Sequence, residues 1–243
     1  MWSANIFEDF VIVYINNIKH KFFIKNCRSV YVFRNYIYFL TDFFIIAYKN
    51  NSMIFKINSI ENYCDKILVN EYIYVSGNDS GTMYKYNVNG KILESIKIGE
   101  HISDFFTVNN NIYVLSYFNN KLTVLNNFNI TKKLYFSKFP QRILCNKYIY
   151  ILFNDGFYNY IYMYSLKFTI IKKVKIKFQI GELFCFNNKL IYDGDDYRII
   201  FNENLNIESI KKSTGFKLCK FSNYPICENN KILDVYNNII YPI

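Results

Sequence analysis

Length, composition and charge narrow the class of protein first. The chain has 243 residues, 51% of them hydrophobic, which is enough to bury a substantial core in a single domain. Alanine occurs only at Ala4 and Ala47, which argues against a helical protein, while 24 tyrosines and 24 phenylalanines favour strands. The formal net charge of +10 favours polyanions or acidic proteins as partners, and codon bias towards lysine is the alternative explanation.

Sequence features also predict the compartment. The first ten residues show no basic stretch followed by an apolar one, so no signal peptide is predicted. The most apolar segment, 36–48, is divided by Thr41 and Asp42 and is shorter than the roughly 18 residues of a membrane-spanning helix. Six cysteines lie in or beside apolar runs without C-x-x-C spacing: Cys27, Cys64, Cys145, Cys185, Cys219 and Cys227. We therefore expect free, buried thiols in a reducing, cytoplasmic location.

The first predicted element is a β-hairpin. Apolar runs at 11–15 and 18–24 are joined by Asn16 and Asn17, and asparagine tolerates the positive φ that tight hairpin turns require. Beyond this hairpin, a polar turn followed by an aromatic-aliphatic strand recurs along the chain. The second tyrosines of this phrase are Tyr38, Tyr74, Tyr113, Tyr150, Tyr192 and Tyr241. Successive spacings of 36 to 42 residues for the first five approach the roughly 40 residues of a four-stranded propeller blade.

Each of these five repeats is predicted to contain four strands, A to D in chain order, separated by Asn-, Asp- and Gly-rich turns. Strand A is expected at 29–33, 66–69, 102–108, 142–145 and 183–186. Strand B is expected at 35–38, 71–75, 110–114, 147–151 and 189–192. Strand C is expected at 43–48, 83–86, 122–125, 160–164 and 197–201. Strand D is expected at 53–57, 92–98, 130–136, 170–176 and 207–210.

The two ends of the chain are predicted to meet. The N-terminal hairpin matches a C–D pair, and 231–236 with 238–241 match an A–B pair. Joined in one blade, they close a ring of six and remove exposed sheet edges. Residues 214–230 then form an extra hairpin or a degenerate blade, and seven blades is the alternative count. No proline- or glycine-rich linker interrupts the chain, so one domain over 1–243 is expected.

This repeat pattern resembles the β-propeller superfamily of the WD40, YVTN and kelch kind. The resemblance covers most of the chain, but the Trp-Asp, Gly-His and paired-glycine signatures of those families are absent, so no functional residue is carried over. It implies an all-β, single β-propeller. The Asn-, Ile-, Lys-, Tyr- and Phe-rich composition also resembles that of AT-rich intracellular parasites such as microsporidia.

Motifs for catalysis, cofactors or metals do not stand out, so no such site is predicted. The only histidines are His20, expected on the surface of an outer strand, and His101, expected at the mouth of a loop. The acidic segment Asp193-Gly194-Asp195-Asp196 has hard-cation ligands, but its position matches the hairpin turns of the other repeats. We therefore expect a non-enzymatic protein.

Two sets of residues are candidates for binding. Lysines concentrate on the predicted outer strands, where they deter edge pairing or contact phosphates: Lys19, Lys21, Lys132, Lys133, Lys172, Lys173, Lys175, Lys177, Lys211 and Lys212. Aromatic side chains in or near loops suit interface anchors: Tyr117, Phe118, Phe157, Tyr158 and Tyr224.

Three functions fit these residues. A scaffold that binds protein partners in a larger complex, and is monomeric on its own, is the leading hypothesis. The first alternative is a ribosome- or RNA-associated factor that uses the lysine rim. The second alternative is a hydrolase or sugar-binding propeller with a site in the central channel.

Overall fold

The computed structural model describes residues 2–16, 18–61, 64, 66–77, 79–108, 110–145, 147–177, 181–186, 189–212, 226–228, 231–233 and 239–242. Regular structure in these segments consists of β-strands. Within them, we find no helix with the length and apolar character needed to span a bilayer.

Each described strand pairs with its neighbour in sequence, and every pair is antiparallel. The N-terminal sheet contains β1 (Trp2–Ile6), β2 (Val11–Ile15) and β3 (Ile18–Phe22). The second contains β4 (Cys27–Phe33), β5 (Tyr36–Thr41), β6 (Phe44–Lys49) and β7 (Ser52–Asn58). The third contains β8 (Ile67–Val69), β9 (Ile73–Gly77), β10 (Thr82–Tyr86) and β11 (Ile92–Lys97). The fourth contains β12 (Ile102–Val108), β13 (Asn111–Ser116), β14 (Lys121–Asn126) and β15 (Asn129–Tyr135).

Three further sheets follow in the second half of the chain. The fifth contains β16 (Phe139–Cys145), β17 (Ile149–Asn154), β18 (Tyr158–Tyr164) and β19 (Ile170–Lys177). The sixth contains β20 (Gly181–Phe186), β21 (Lys189–Gly194), β22 (Tyr197–Phe201) and β23 (Ile207–Lys212). The C-terminal sheet contains β24 (Ile226–Glu228), β25 (Lys231–Leu233) and β26 (Ile239–Pro242).

The all-β class and the five four-stranded repeats predicted from the sequence are confirmed. Sequence analysis missed β1, which pairs with β2 and makes the N-terminal hairpin part of a three-stranded sheet. The segment 214–230, expected to form an extra hairpin or a degenerate blade, contributes β24, which pairs with β25; residues 213–225 lie outside the described residues. The union of the two termini in one blade, the closed ring and the single domain stay predictions.

The cores lie between consecutive sheets within two compact units, unit 1 (Met1–Tyr135) and unit 2 (Phe136–Ile243). In unit 1, one cluster includes Ala4 of β1, Phe22 of β3 and Phe39 of β5. In unit 2, a cluster joins Leu152 of β17 to Leu183 and Tyr192 of the next sheet. The aromatic-aliphatic phrase is buried on both faces: in β5, Ile37 and Phe39 belong to one core, and Tyr38 and Leu40 belong to the next, as a period of two requires.

Ion pairs reinforce the contact between neighbouring A strands. Lys66 Nζ lies 2.5 Å from Asp104 Oδ1 in unit 1. Arg142 Nε lies 2.5 Å from Glu182 Oε2 in unit 2, and a second nitrogen of the same guanidinium donates to Glu182 Oε1 at 2.8 Å. This bidentate geometry holds two A strands of successive sheets together.

Asparagines in the turns adopt the backbone conformation that their sequence predicts, and several bulkier residues share it. Asn16, Asn120 and Asn127 have positive φ, as expected for tight hairpin turns. Phe128 and Leu205 also have positive φ, although branched or bulky residues avoid that region. Both side chains are buried in cores, so the apolar burial offsets the local backbone cost.

Substitution of a core leucine tests this packing. Leu152 is fully buried between two sheets of unit 2, and Leu166 is exposed in the turn between β18 and β19. Leu152→Ala should reduce the free energy of unfolding by about 2–5 kcal/mol, because it leaves a cavity. Leu166→Ala should change it by less than about 0.5 kcal/mol. Urea unfolding followed by circular dichroism measures both, and equal effects would contradict the assigned core.

Thiol reactivity provides a second test. Cys27, Cys64, Cys145 and Cys185 are free thiols, and the first three are buried. Burial raises the pKa of Cys27 to about 12, and burial followed by the neighbouring Cys145 raises that of Cys185 to about 12. Because thiolate is the reactive form, these two cysteines should resist a thiol reagent at neutral pH in the native protein and react in urea. Mass spectrometry of labelled peptides gives the readout, and native labelling at Cys27 would refute the burial.

Candidate functional site

The loops of unit 1 that follow strands B and D lie at one end of its sheets. In a four-stranded antiparallel sheet, strands A and C begin on the side where strands B and D end. A short D–A loop leads from that side into the next sheet, so the B–C turns and the D–A loops all lie on the same side. We call this side the loop end; its B–C turns are 7–10, 42–43, 79–81 and 117–120.

Backbone hydrogen bonds connect these loops to one another. In the D–A loop between β3 and β4, the Asn26 N–H donates to Glu8 O at 3.2 Å and its carbonyl accepts from Asp42 N at 3.3 Å. In the loop between β11 and β12, the Ile98 N–H donates to Gly81 O at 2.9 Å, and His101 O accepts from Tyr117 N at 2.8 Å. Each of these two D–A loops therefore bridges the B–C turns of two consecutive sheets.

Phenylalanine side chains project from the loop end into solvent. Phe7, Phe43 and Phe118 occupy three B–C turns and are 44%, 43% and 64% exposed. Phe23 lies in a D–A loop and is 79% exposed. Exposed aromatic rings grouped on one side of a fold are typical of interaction surfaces.

Predicted anchors Tyr117 and Phe118 lie at the loop end together with His101. The His101 ring centroid is 6.0 Å from that of Tyr117 and 5.5 Å from that of Phe118. His101 has a φ of +51°, which turns the chain sharply into β12. The expectation that His101 lies at a loop mouth is confirmed, and its contacts are aromatic.

A cavity of 410 Å³ opens beside this aromatic group. Its lining residues come from the end of β11 and the loop after it, the β13–β14 turn, the start of β14 and the end of β15: Lys97, Gly99, Glu100, Asn119, Lys121 and Tyr135. Asn119 Oδ1 accepts from the Glu100 N–H at 2.6 Å and lies 2.9 Å from Ser116 Oγ. A Cβ at Gly99 would overlap Asn119 Oδ1 and Ser116 Oγ, so the close approach of the two loops requires glycine there.

Lys121 is the most unusual side chain of this cavity. It is 8% exposed, and its Nζ donates to Ile98 O at 2.6 Å. Burial lowers the pKa of the Lys121 ammonium, and the nearby Lys133 lowers it further. Within the described part of the chain, no carboxylate forms a salt bridge with Lys121.

In unit 2, the structure brings the two predicted sets of binding residues together. Phe157 is exposed in the turn between β17 and β18, and the Lys175 Nζ lies 3.5 Å from the ring centroid of Tyr158. Lys173 Nζ lies 4.8 Å from the ring centroid of Tyr162 on the same face. These lysines therefore cover tyrosine rings as well as facing solvent.

The other predicted residues occupy the expected strands. Lys19 and Lys21 lie on β3, Lys132 and Lys133 on β15, Lys172 and Lys177 on β19, and Lys211 and Lys212 on β23. All four of these strands form the last strand of their sheet. Lys172 Nζ donates to Asn206 Oδ1. Tyr224 lies outside the described residues.

The acidic segment has a structural role at one position. Asp193 is the penultimate residue of β21 and is buried, and its Oδ1 accepts from Arg198 Nε at 2.8 Å. Asp195 and Asp196 form the exposed turn to β22. The hairpin-turn interpretation is confirmed, except that the turn begins two residues later than predicted.

Sequence analysis missed most of the loop-end residues. Phe7, Phe23, Phe43, Lys97 and Lys121 were not singled out as candidates. The available signal was positional: each belongs to a B–C turn or a D–A loop, or lies directly beside one. His20, predicted on the surface, lies on β3 with its Nδ1 2.9 Å from Asn51 Oδ1.

Comparison with known proteins defines the fold. No family model and no curated protein matches the sequence. The WD40 domain of Neurospora crassa Pan2 superposes with a TM-score of 0.69 at 14% identity, over 87% of this chain and 76% of that domain. BBS1N, from its complex with ARL6DN, superposes with a TM-score of 0.68 at 13% identity, over 91% of this chain and 80% of BBS1N. Kluyveromyces lactis Hsv2 superposes with a TM-score of 0.65 at 12% identity, over 83% of this chain and 71% of Hsv2.

These likenesses show that the chain has a β-propeller fold. The predicted resemblance to WD40-type propellers is confirmed to that extent. The Pan2 neighbour is a WD40 domain, and the BBS1N structure is of a complex with ARL6DN.

The buried pair in the acidic segment generates a prediction. Both side chains are almost fully buried, at 3% exposure for Arg198 and 5% for Asp193. Arg198→Met should cost about 3–5 kcal/mol of unfolding free energy, because it removes the positive charge that faces a buried carboxylate. The double variant with Asp193→Asn should recover part of that loss. Chemical denaturation of the wild type, the two single variants and the double variant measures the interaction, and additive losses would refute the pairing.

Because the acidic segment is a hairpin turn, millimolar Ca²⁺ should leave the melting temperature of the wild type unchanged.

Proposed function

We propose that this chain is a non-enzymatic propeller module that binds a partner protein through the loop end of unit 1. The observation that carries the proposal is the set of exposed phenylalanines on one side: Phe7, Phe23, Phe43 and Phe118. Burying such rings against a partner removes apolar surface from water and supplies anchors of the kind that dominate interfaces. The sheet scaffold holds the turns in place through the backbone bonds between them.

Mixed charge at the loop end favours a protein over a nucleic acid. Glu8, Asp9 and Glu100 are exposed there beside Lys25 and Lys97. Carboxylates interspersed with lysines repel a phosphate backbone, whereas a protein surface accommodates both signs. Three of the four arginines also form ion pairs within the fold: Arg28, Arg142 and Arg198.

The lysines of the outer strands support a structural interpretation. Lys173 and Lys175 lie over tyrosine rings of the adjacent strand. Lysine on a final strand also deters pairing with a second chain. Contact of this rim with RNA is the alternative that the binding experiment must separate from protein binding.

Substitution of the loop-end phenylalanines tests the proposal. The immobilised wild-type protein captures partners from lysate of its own cells at low and high salt, and the captured proteins are purified for affinity measurement. Phe43→Ser and Phe118→Ser should each weaken the wild-type affinity roughly 30-fold, because hot-spot anchors contribute about 2 kcal/mol or more. The affinity should depend weakly on salt.

Val88→Ser is the matched control. Val88 is 44% exposed in unit 1, but it lies in the C–D turn between β10 and β11, at the opposite end of the sheet. The Val88→Ser variant should bind the partner with the affinity of the wild type. Equal losses in all three variants, or capture that consists of nucleic acid and disappears steeply with salt, would overturn the proposal.

A further inference from the structure

We propose that the cavity lined by Lys97, Asn119, Lys121 and Tyr135 binds a carboxylate. Assigning that carboxylate to an acidic side chain of the partner rests on the proposed function, because the cavity opens beside Phe118 at the loop end. Nothing in the repeat pattern singles out this site, which exists only where loops of two consecutive sheets meet.

The buried ammonium of Lys121 is the first argument. Its side chain is 8% exposed, and its Nζ donates to Ile98 O at 2.6 Å, whereas an ammonium can donate three hydrogen bonds. Burying a charge without a counterion is costly, and an anion in the cavity would compensate it. The lowered pKa of Lys121 has the same physical origin, and a bound carboxylate would raise it again.

The orientation of Asn119 is the second argument. The backbone N–H of Glu100 can only donate, so the Asn119 atom 2.6 Å away from it must be the amide oxygen. The Asn119 Nδ2 group, a donor of two hydrogens, therefore remains for the cavity. Tyr135, directly opposite Lys121 on β15, is 71% exposed and adds a hydroxyl.

The residues around the cavity define the class of ligand. Lys97, Lys121 and the nearby Lys133 contribute positive charges and Glu100 a negative one, so the net charge is positive and favours an anion. No arginine of the described residues lines the cavity, so the bidentate fork that favours phosphate is missing.

A titration that needs no partner tests the site. Protein labelled with ¹³C at the lysine ε-carbons is titrated with sodium acetate against sodium chloride at equal ionic strength. The Lys121 signal should shift saturably with acetate, and its pKa should rise. Lys121→Met and Lys97→Met should each weaken acetate binding roughly tenfold or more, since each removes a charged donor. Lys97 is exposed, so its variant keeps the test valid even if Lys121→Met fails to fold.

Lys91→Met is the control: Lys91 is an exposed lysine at the opposite end of the same unit, so its replacement should leave the affinity for acetate unchanged. A capped tripeptide with a central glutamate distinguishes the sources: tighter binding than acetate indicates a protein side chain, and equal binding a free small acid. The proposal fails if Lys91 and Lys121 shift alike, if Lys97→Met binds acetate as the wild type does, or if inorganic phosphate binds more tightly than acetate. Since no partner is present, this result is independent of the phenylalanine variants.

Discussion

The direction in which the chain leaves each sheet is the constraint on which the rest of the structure depends. The chain leaves every four-stranded sheet from strand D, at one edge of the sheet, and a D–A loop leads to the first strand of the next sheet. Within unit 1 this return gathers the B–C turns and D–A loops on one side. The hydrogen bonds of Asn26 and His101 then connect these loops, so the candidate surface is a consequence of connectivity.

Most strands were predictable because they alternate aromatic and aliphatic residues between Asn-, Asp- and Gly-rich turns. β1 was missed because Trp2–Ile6 contains small and polar residues, although Ala4 is fully buried in a core. The positive φ of Phe128 could not be predicted, because bulky residues avoid that backbone conformation and only burial of the ring in the core favours it here.

The candidate site was harder to predict than the fold. A lysine at the start of a strand looks the same in the sequence whether its side chain is solvated or buried. Lys121 is buried, and its Nζ bonds to Ile98 in the loop between β11 and β12. Exposed phenylalanines are likewise indistinguishable from core phenylalanines in an aromatic-rich chain. Outer-strand lysines were located correctly, because the repeat itself defines which strand is last.

Pairing only between neighbours in sequence has a consequence for how the chain acquires its structure. All described strand pairs join consecutive strands, so each pair finds its register across a single short turn of the chain. Local pairing of this kind favours fast formation of individual sheets, and sheets can form in any order before they pack. The division between Tyr135 and Phe136 falls between two whole sheets, so a gain or loss of one repeat during evolution would leave the hydrogen-bond ladders of the others intact.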